Sequence, residues 1–273
     1  MKVIYIFIIT GLIVLLVLIN GIYQTRKLTG FLERNYNKNG NGSRYIPKKI
    51  FQTIADKTKI NPKFTENIEY IKRLNPTWEH VLFDDKDIAD YIGSNYSPEM
   101  LAIYEKINPK YGAARADFFR YLLMYKEGGA YFDIKSAPKI PLDNIILPDD
   151  EYILCHWECP CETKRTGIID GEYQQWHVIC RPRHPYLKAV LDRVINNIMT
   201  YTLSDGVGKP GVLAVTGPVA YSKAIVPIRQ KYSHRLLNTN EYVGFTYNNI
   251  QNSHINLFQN KHYSKITEPI ILS

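Results

Sequence analysis

The stretch Tyr111–Lys135, YGAARADFFRYLLMYKEGGAYFDIK, changes period within 25 residues. Through Lys126 it reads as a helix with an apolar face. Gly128-Gly129 then stops the helix, since glycine enters the backbone conformations that end helices without a Cβ clash. A short buried strand follows and closes on Asp133. Two features sit oddly in this pattern. Asp117 and Arg120 are three residues apart and share a helix face among Phe, Tyr and Leu. Taken alone, such a pair reads first as an i,i+3 ion pair on a solvated face. Asp133 is the second oddity. An unpaired buried carboxylate is costly, so an aspartate at a strand's carboxyl end is held by a cation, a ligand hydroxyl or a loop amide.

Upstream of this stretch, Ile46–Ile54 begins with a proline and runs β-prone, which suits a first strand. Phe64, Ile68, Ile71 and Leu74 have the spacing of an amphipathic helix over residues 62–74, closed by Asn75-Pro76. Trp78–Phe83 reads as a second strand, and Asp84-Asp85 can cap the helix after it. Strand, helix, strand, helix in this order predicts an α/β domain, a parallel or mixed sheet covered by helices.

The N-terminus is of another kind. Val3–Ile19 holds no charged residue. As a helix it is about 26 Å long, near the lower limit for crossing a bilayer. No small-residue cleavage pattern follows it, which favours an uncleaved signal anchor over a signal peptide, and a buried core helix seldom opens a chain in this way. Residues 1–19 are thus expected to be a transmembrane anchor, 20–45 a polar stem, and 46–273 the domain. Lys2 flanks the run on one side and Arg26, Lys27, Arg34 and Lys38 on the other, so the positive-inside rule does not orient it. The formal charge of +8 comes from scattered residues with no basic stripe, which argues against nucleic acid and suits a phosphate-bearing substrate.

Four motifs together resemble the family 32 glycosyltransferases. They are Ile46-Pro47-Lys48 with Gln52-Thr53, Asn75-Pro76 with Trp78, the central Asp117, Arg120-Tyr121, Gly128-Gly129, Tyr131 and Asp133, and Thr216-Gly217-Pro218. The resemblance runs from Ile46 to about Ile228. It implies a GT-A-type nucleotide-diphospho-sugar transferase fold, a GDP- or UDP-sugar donor, retention of anomeric configuration and a divalent metal, Mn2+ in type. By the same resemblance Gln52 and Thr53 lie where the nucleotide sits, Asp117 and Arg120 hold donor-sugar hydroxyls, and Tyr131 packs beside the sugar or ribose. Asp133 corresponds to the first aspartate of the D-x-D element, near metal and ribose. Gly217 and Pro218 fall on the acceptor side, and Gln174-Gln175 is a weaker acceptor candidate.

The second aspartate of that element is replaced by Lys135. A protonated lysine does not ligate a hard divalent cation, yet an ammonium beside a diphosphate brings positive charge. Three readings follow: a metal held by Asp133 and a distant ligand, for which His262 is preferred over His254; a metal-free site using Lys135; or an inactive domain. Cys155, Cys159, Cys161 and Cys180 lack a standard zinc spacing, and two disulfides are the simpler reading in a lumenal domain. Asn41 and Asn95 head N-x-S triplets that weakly support lumenal exposure.

The combined expectation is a membrane-tethered hexosyltransferase, single-pass and type II, acting on a glycan or glycoprotein in the Golgi or ER lumen. Its alternative is a catalytically inactive carbohydrate-binding or scaffold protein of the same fold. A metal-dependent phosphohydrolase ranks last, because only Asp133 is well placed among the several carboxylates it would need.

Overall fold

The structure is a computed structural model that describes residues 11, 15–16, 19, 45–156, 171–237, 244–250 and 263–272. Of the expected anchor, Gly11, Leu15, Leu16 and Ile19 are described; they are helical, and the three large side chains are exposed. The rest of the anchor, the stem up to residue 44, Cys159, Cys161, His254 and His262 lie outside the described residues.

Strand β1 (Lys49–Thr53) is followed by helix α1 (Pro62–Leu74), β2 (Glu79–Phe83), α2 (Asp85–Asn95) and α3 (Pro98–Glu105). Helix α4 (Gly112–Glu127) then leads into β3 (Gly129–Phe132) and β4 (Ala137–Pro138). The chain continues through α5 (Leu142–Ile145), β5 (Tyr152–Cys155), β6 (His177–Cys180), α6 (Pro185–Met199), α7 (Gly208–Val215) and α8 (Pro218–Ile225), and adds β7 (Arg235–Leu237) and β8 (Phe245–Thr246). The main sheet has the order β2-β1-β3-β6-β5-β7, and β4 pairs with β8 separately. β1 runs parallel to both β2 and β3, while β3 and β6 are antiparallel. The sheet is therefore mixed, as the element order predicts.

Local chemistry accounts for the boundaries. Pro62 starts α1 behind Asn61, whose side chain accepts from the Lys63 N–H, and Asn75 closes it on the Ile71 carbonyl. Asp84 caps α2 in a reciprocal box with Asp87. The first strand is shorter than expected, because pairing with β2 begins only at Lys49.

Helix α4 is the main departure from the amphipathic expectation. Every residue from Phe118 to Met124 is buried, Arg120 included, because the helix is packed on the sheet and against α3, α6 and α7. The Asp117–Arg120 pair, which taken alone reads as an ion pair on a solvated face, is thus inside the protein. Strand parity completes the arrangement, since alternate residues face opposite sides of a sheet. Phe51, Tyr131 and Val178 join the core that contains α4, whereas Ile50, Ala130, Phe132 and Ile179 join the core on the other face. Thr53 and Asp133 share the parity of Phe51 and Tyr131, so they turn toward α4.

Among the described residues one helical run, Gly208–Lys231, is apolar and long enough to cross a membrane. It is broken at Thr216-Gly217 and packs against α6, which makes it part of the core. Cys155 and Cys180 are buried free thiols, contrary to the two-disulfide expectation. Tyr152 is paired with Cys180 and Ile153 with Ile179, so the antiparallel register carries Cys155 away from Cys180. The Asn95 amide donates to the Tyr91 carbonyl and accepts from Lys126, and Asn41 lies outside the described residues.

Two outcomes test this description. Gly129 has φ of 93°, and a Cβ there would stand 2.6 Å from the Lys49 carbonyl oxygen. Gly129→Ala should therefore lower unfolding free energy by more than about 2 kcal/mol, read from the urea midpoint. The second outcome concerns pH. Burial pushes the His177 pKa down to about 3 and that of His184 down to about 3, with His80 lowered to about 4. Between these values and the ordinary 6.5 the unfolded chain binds more protons, so stability should fall as pH drops from 6.5 toward 4. His177→Phe, which keeps a ring beside Phe132 and Phe245, should flatten that fall by up to about 1.4 kcal/mol per pH unit.

Candidate active site

β1 is flanked by β2 on one side and β3 on the other, so the chain reverses its direction of sheet growth between β1 and β3. In open α/β sheets the crevice outside the carboxyl ends of strands at such a switch is where ligands bind. Thr53 ends β1 and Asp133 follows β3 at this point, bridged by Tyr131. The Tyr131 hydroxyl is 2.9 Å from Thr53 Oγ1 and donates to Asp133 Oδ1 at 3.3 Å.

Arg120 joins these strand ends to α4. Its guanidinium is 4.6 Å from the centre of the Tyr131 ring, and Nη2 donates to Asp133 Oδ1 at 2.8 Å and lies 3.3 Å from Asp117 Oδ1. Nη1 donates to the Gln175 carbonyl at 2.6 Å and to the Gln175 side-chain oxygen. Gln175 Nε2 returns a bond to Asp117 Oδ1 at 3.1 Å, and Thr216 Oγ1 donates to Asp117 Oδ2 at 3.0 Å. Desolvation is the largest single influence on both ionisable groups, and for Arg120 it is outweighed by the charges around it. It raises the Asp117 pKa, opposed first by Arg120, while the surrounding carboxylates hold Arg120 firmly charged against its own burial.

The turn after Asp133 is pinned at each carbonyl. The Asp133 carbonyl accepts from the Ser136 N–H at 2.8 Å and from Gln52 Nε2 at 3.3 Å. Asn67 Nδ2 reaches both the Ile134 and Ser136 carbonyls, and the Asn249 N–H donates to the Lys135 carbonyl at 2.8 Å. Lys135 Nζ lies 4.1 Å from the centre of the Tyr247 ring. Desolvation lowers the Lys135 pKa, against the attraction of Asp133. Burial raises the Tyr247 hydroxyl to about 12.

The residues singled out from sequence therefore divide. Asp117, Arg120, Tyr131 and Asp133 form one cluster, with Asp117 and Arg120 only 4% and 3% exposed and the Asp133 side chain 27% exposed. Asp133 and nearby Lys135 are partly exposed, whereas Asp117, Arg120 and Tyr131 are buried. Gln52 is fully buried between His80 and the Asp133 carbonyl, so it supports the turn from inside. Gln175 belongs to the Asp117–Arg120 cluster. Gly217 and Pro218 follow Thr216 at the break between α7 and α8, where a Cβ at Gly217 would stand 2.9 Å from the Val212 carbonyl oxygen.

Asn67, Tyr247 and Asn249 are residues of this region that the sequence analysis passes over, while Thr216, singled out there in the Thr216-Gly217-Pro218 motif, is bonded to Asp117. Asn67 alone leaves a signal, as an amide on the buried face of α1 between Phe64 and Ile71. Tyr247 and Asn249 reach the turn through the fold.

The metal that the resemblance implies finds a poor donor set here. Asp133 Oδ1 is already bonded to Arg120 and Tyr131, the neighbouring position is an ammonium, and no group of three His, Cys, Asp or Glu is assembled among the described residues.

Comparison with known proteins agrees with this geometry. Residues 61–152 match the family described as a glycosyltransferase sugar-binding region containing a DXD motif. The solved PaToxG glycosyltransferase has the same fold, with a TM-score of 0.51 and 15% identity over 75% of this chain and 80% of that one. The fold is therefore that of GT-A-type glycosyltransferase domains. By sequence the chain is similar to curated yeast mannosyltransferases. It is 28% identical over 66% of its length to the initiation-specific alpha-1,6-mannosyltransferase of Schizosaccharomyces pombe, and 24% identical over 72% to inositol phosphoceramide mannosyltransferase 2 of the same organism. The chain spans about half the length of these relatives, 48% and 50%.

Removing the carboxylate behind Arg120 tests the cluster. Asp117→Ala leaves a buried guanidinium short of a partner and should cost about 3–5 kcal/mol of stability, measured by chemical denaturation. A loss below about 1 kcal/mol would mean that Arg120 is balanced by Asp133 alone.

Proposed function

We propose that the domain transfers a hexose, mannose in the first instance, from a GDP- or UDP-sugar to a hydroxyl of a glycan or glycoconjugate, with retention of anomeric configuration. The observation that carries this reading is the partly exposed carboxylate of Asp133 at the switch point of the sheet, held by a buried arginine within a segment that matches a glycosyltransferase sugar-binding region. The named relatives are mannosyltransferases, which supports mannose, and their names differ in what is mannosylated, so the acceptor is kept at the level of a hydroxyl.

Each group has a part. Asp133 offers Oδ2 to ribose or sugar hydroxyls, while its other oxygen is fixed by Arg120 and Tyr131. Asp117, Gln175 and Thr216 lock Arg120, so Asp133 meets the donor in one orientation with little reorganisation. Tyr131 forms the floor beneath Arg120. Gly217 and Pro218 border the acceptor side through the turn that carries Thr216. An anchor at residues 1–19 that holds the domain in the Golgi or ER lumen belongs to the same reading, supported by the uncharged run Val3–Ile19.

A saccharide-binding protein without turnover is the second reading, favoured by Lys135 in the place of an aspartate. One screen separates the two. The full chain is offered GDP-mannose, UDP-glucose, UDP-galactose and UDP-N-acetylglucosamine, and donor hydrolysis and transfer are followed. One donor should turn over, and Asp133→Asn should lower that turnover at least about 100-fold. Full turnover by Asp133→Asn would sink the site assignment, and saccharide binding with no turnover of any donor would favour the second reading.

A further inference from the structure

The poor fit of the site to a divalent ion has a positive counterpart in Lys135. We infer that this chain binds the diphosphate of its donor without a divalent ion, with the Lys135 ammonium as the cation that faces the phosphates; the inference rests on the donor site proposed above.

Charge supports it first. Asp117 and Asp133 are balanced by Arg120 and Lys135. An aspartate at position 135 would set three carboxylates against one guanidinium, a deficit of two positive charges that one divalent ion fills. Lysine closes the same deficit from within the chain. A divalent ion added to the lysine site would stand near an ammonium that repels it.

Coordination supports it second. An ion at a diphosphate is held by one or two carboxylates beside phosphate oxygens and water, and among the described residues this site offers a single carboxylate oxygen, the one Asp133 keeps after Arg120 and Tyr131. Carboxylates elsewhere in the cluster do not help, since both oxygens of Asp117 are bonded within the protein.

Placement of the ammonium is the third support. The carbonyls from Asp133 to Ser136 are all tied, to Gln52, Asn67, Asn249 and the turn itself, so the Lys135 backbone has little freedom. Ser136 Oγ donates to the Tyr247 carbonyl at 2.7 Å, which fixes the residue whose ring lies against the ammonium. A cation on an aromatic face keeps its N–H donors for a second partner, whereas one paired with a carboxylate is already neutralised. A phosphate group near Asp133 meets a positioned point charge with donors to give.

The test is calorimetric titration of the full chain with GDP and with UDP, once in EDTA and once in MnCl2. One nucleotide should bind with affinities that agree within about threefold in the two buffers. Lys135→Ala should weaken binding in EDTA at least about tenfold, and Lys135→Arg, which keeps the charge, should lose less. Lys135→Asp should lose binding in EDTA and regain it with Mn2+, with thermal melts confirming that each variant is folded. Wild-type binding that needs Mn2+, or that is unchanged in folded Lys135→Ala, overturns the inference and leaves the donor site standing. Failure of both nucleotides to bind the wild type in either buffer overturns the donor site and the inference together.

Discussion

A guanidinium that is almost wholly inside the protein must be surrounded by acceptors, and the ion pair of Arg120 with Asp133 sets what the surrounding chain can be. Helix α4 has to present Asp117 one turn before Arg120. The segment before β6 has to deliver both oxygens of Gln175 to the same guanidinium, and the break between α7 and α8 has to bring Thr216 to Asp117. Residues separated by up to 99 positions are recruited to one charge. Burying such a network does not make the fold more stable than an apolar core would. What it supplies is orientation: a carboxylate at the crevice whose one oxygen is immobilised and whose other remains available.

The turn from Asp133 to Ser136 carries that orientation forward. It is held from α1 by Asn67, from β1 by Gln52 and from the strand-end after β8 by Asn249, so both sheets and the first helix contribute to its shape. These bonds are all to main-chain carbonyls, which leaves the identity of the side chains free to change without reshaping the loop. A lysine in place of an aspartate at position 135 is a substitution that such a loop tolerates structurally, with its effect confined to charge.

The extent to which this was legible in sequence follows from the range of the interactions. Helix α1, the capping by Asp84, the glycine stop at Gly128 and the strand that leads to Asp133 are local, and period and turn chemistry reveal them. Asp117 and Arg120 were visible as polar residues in an apolar helix, but their burial was not, because it depends on how many layers cover α4. Gln175 and Thr216 stand in stretches that the sequence singles out, but their place beside Asp117 and Arg120 comes only through long-range packing. The cysteines show the reverse error: a reading from redox context predicted cross-links, whereas strand register keeps Cys155 and Cys180 apart as buried thiols. His262 lies outside the described residues, so its part is not among those the fold explains.

Strand parity has one more consequence, for insertions and deletions. Gly129 is pressed against the Lys49 carbonyl, which fixes where β3 starts, and Asp133 lies four positions on. Added or lost residues between them in odd number would rotate the aspartate to the face of Phe132 and Trp176, away from its arginine, whatever residue type was involved. The spacing Gly-x-Tyr-x-Asp is in this sense a ruler: its length encodes which side of the sheet carries the chemistry, and drift in that length is far less permissible than drift in the residues between the marks.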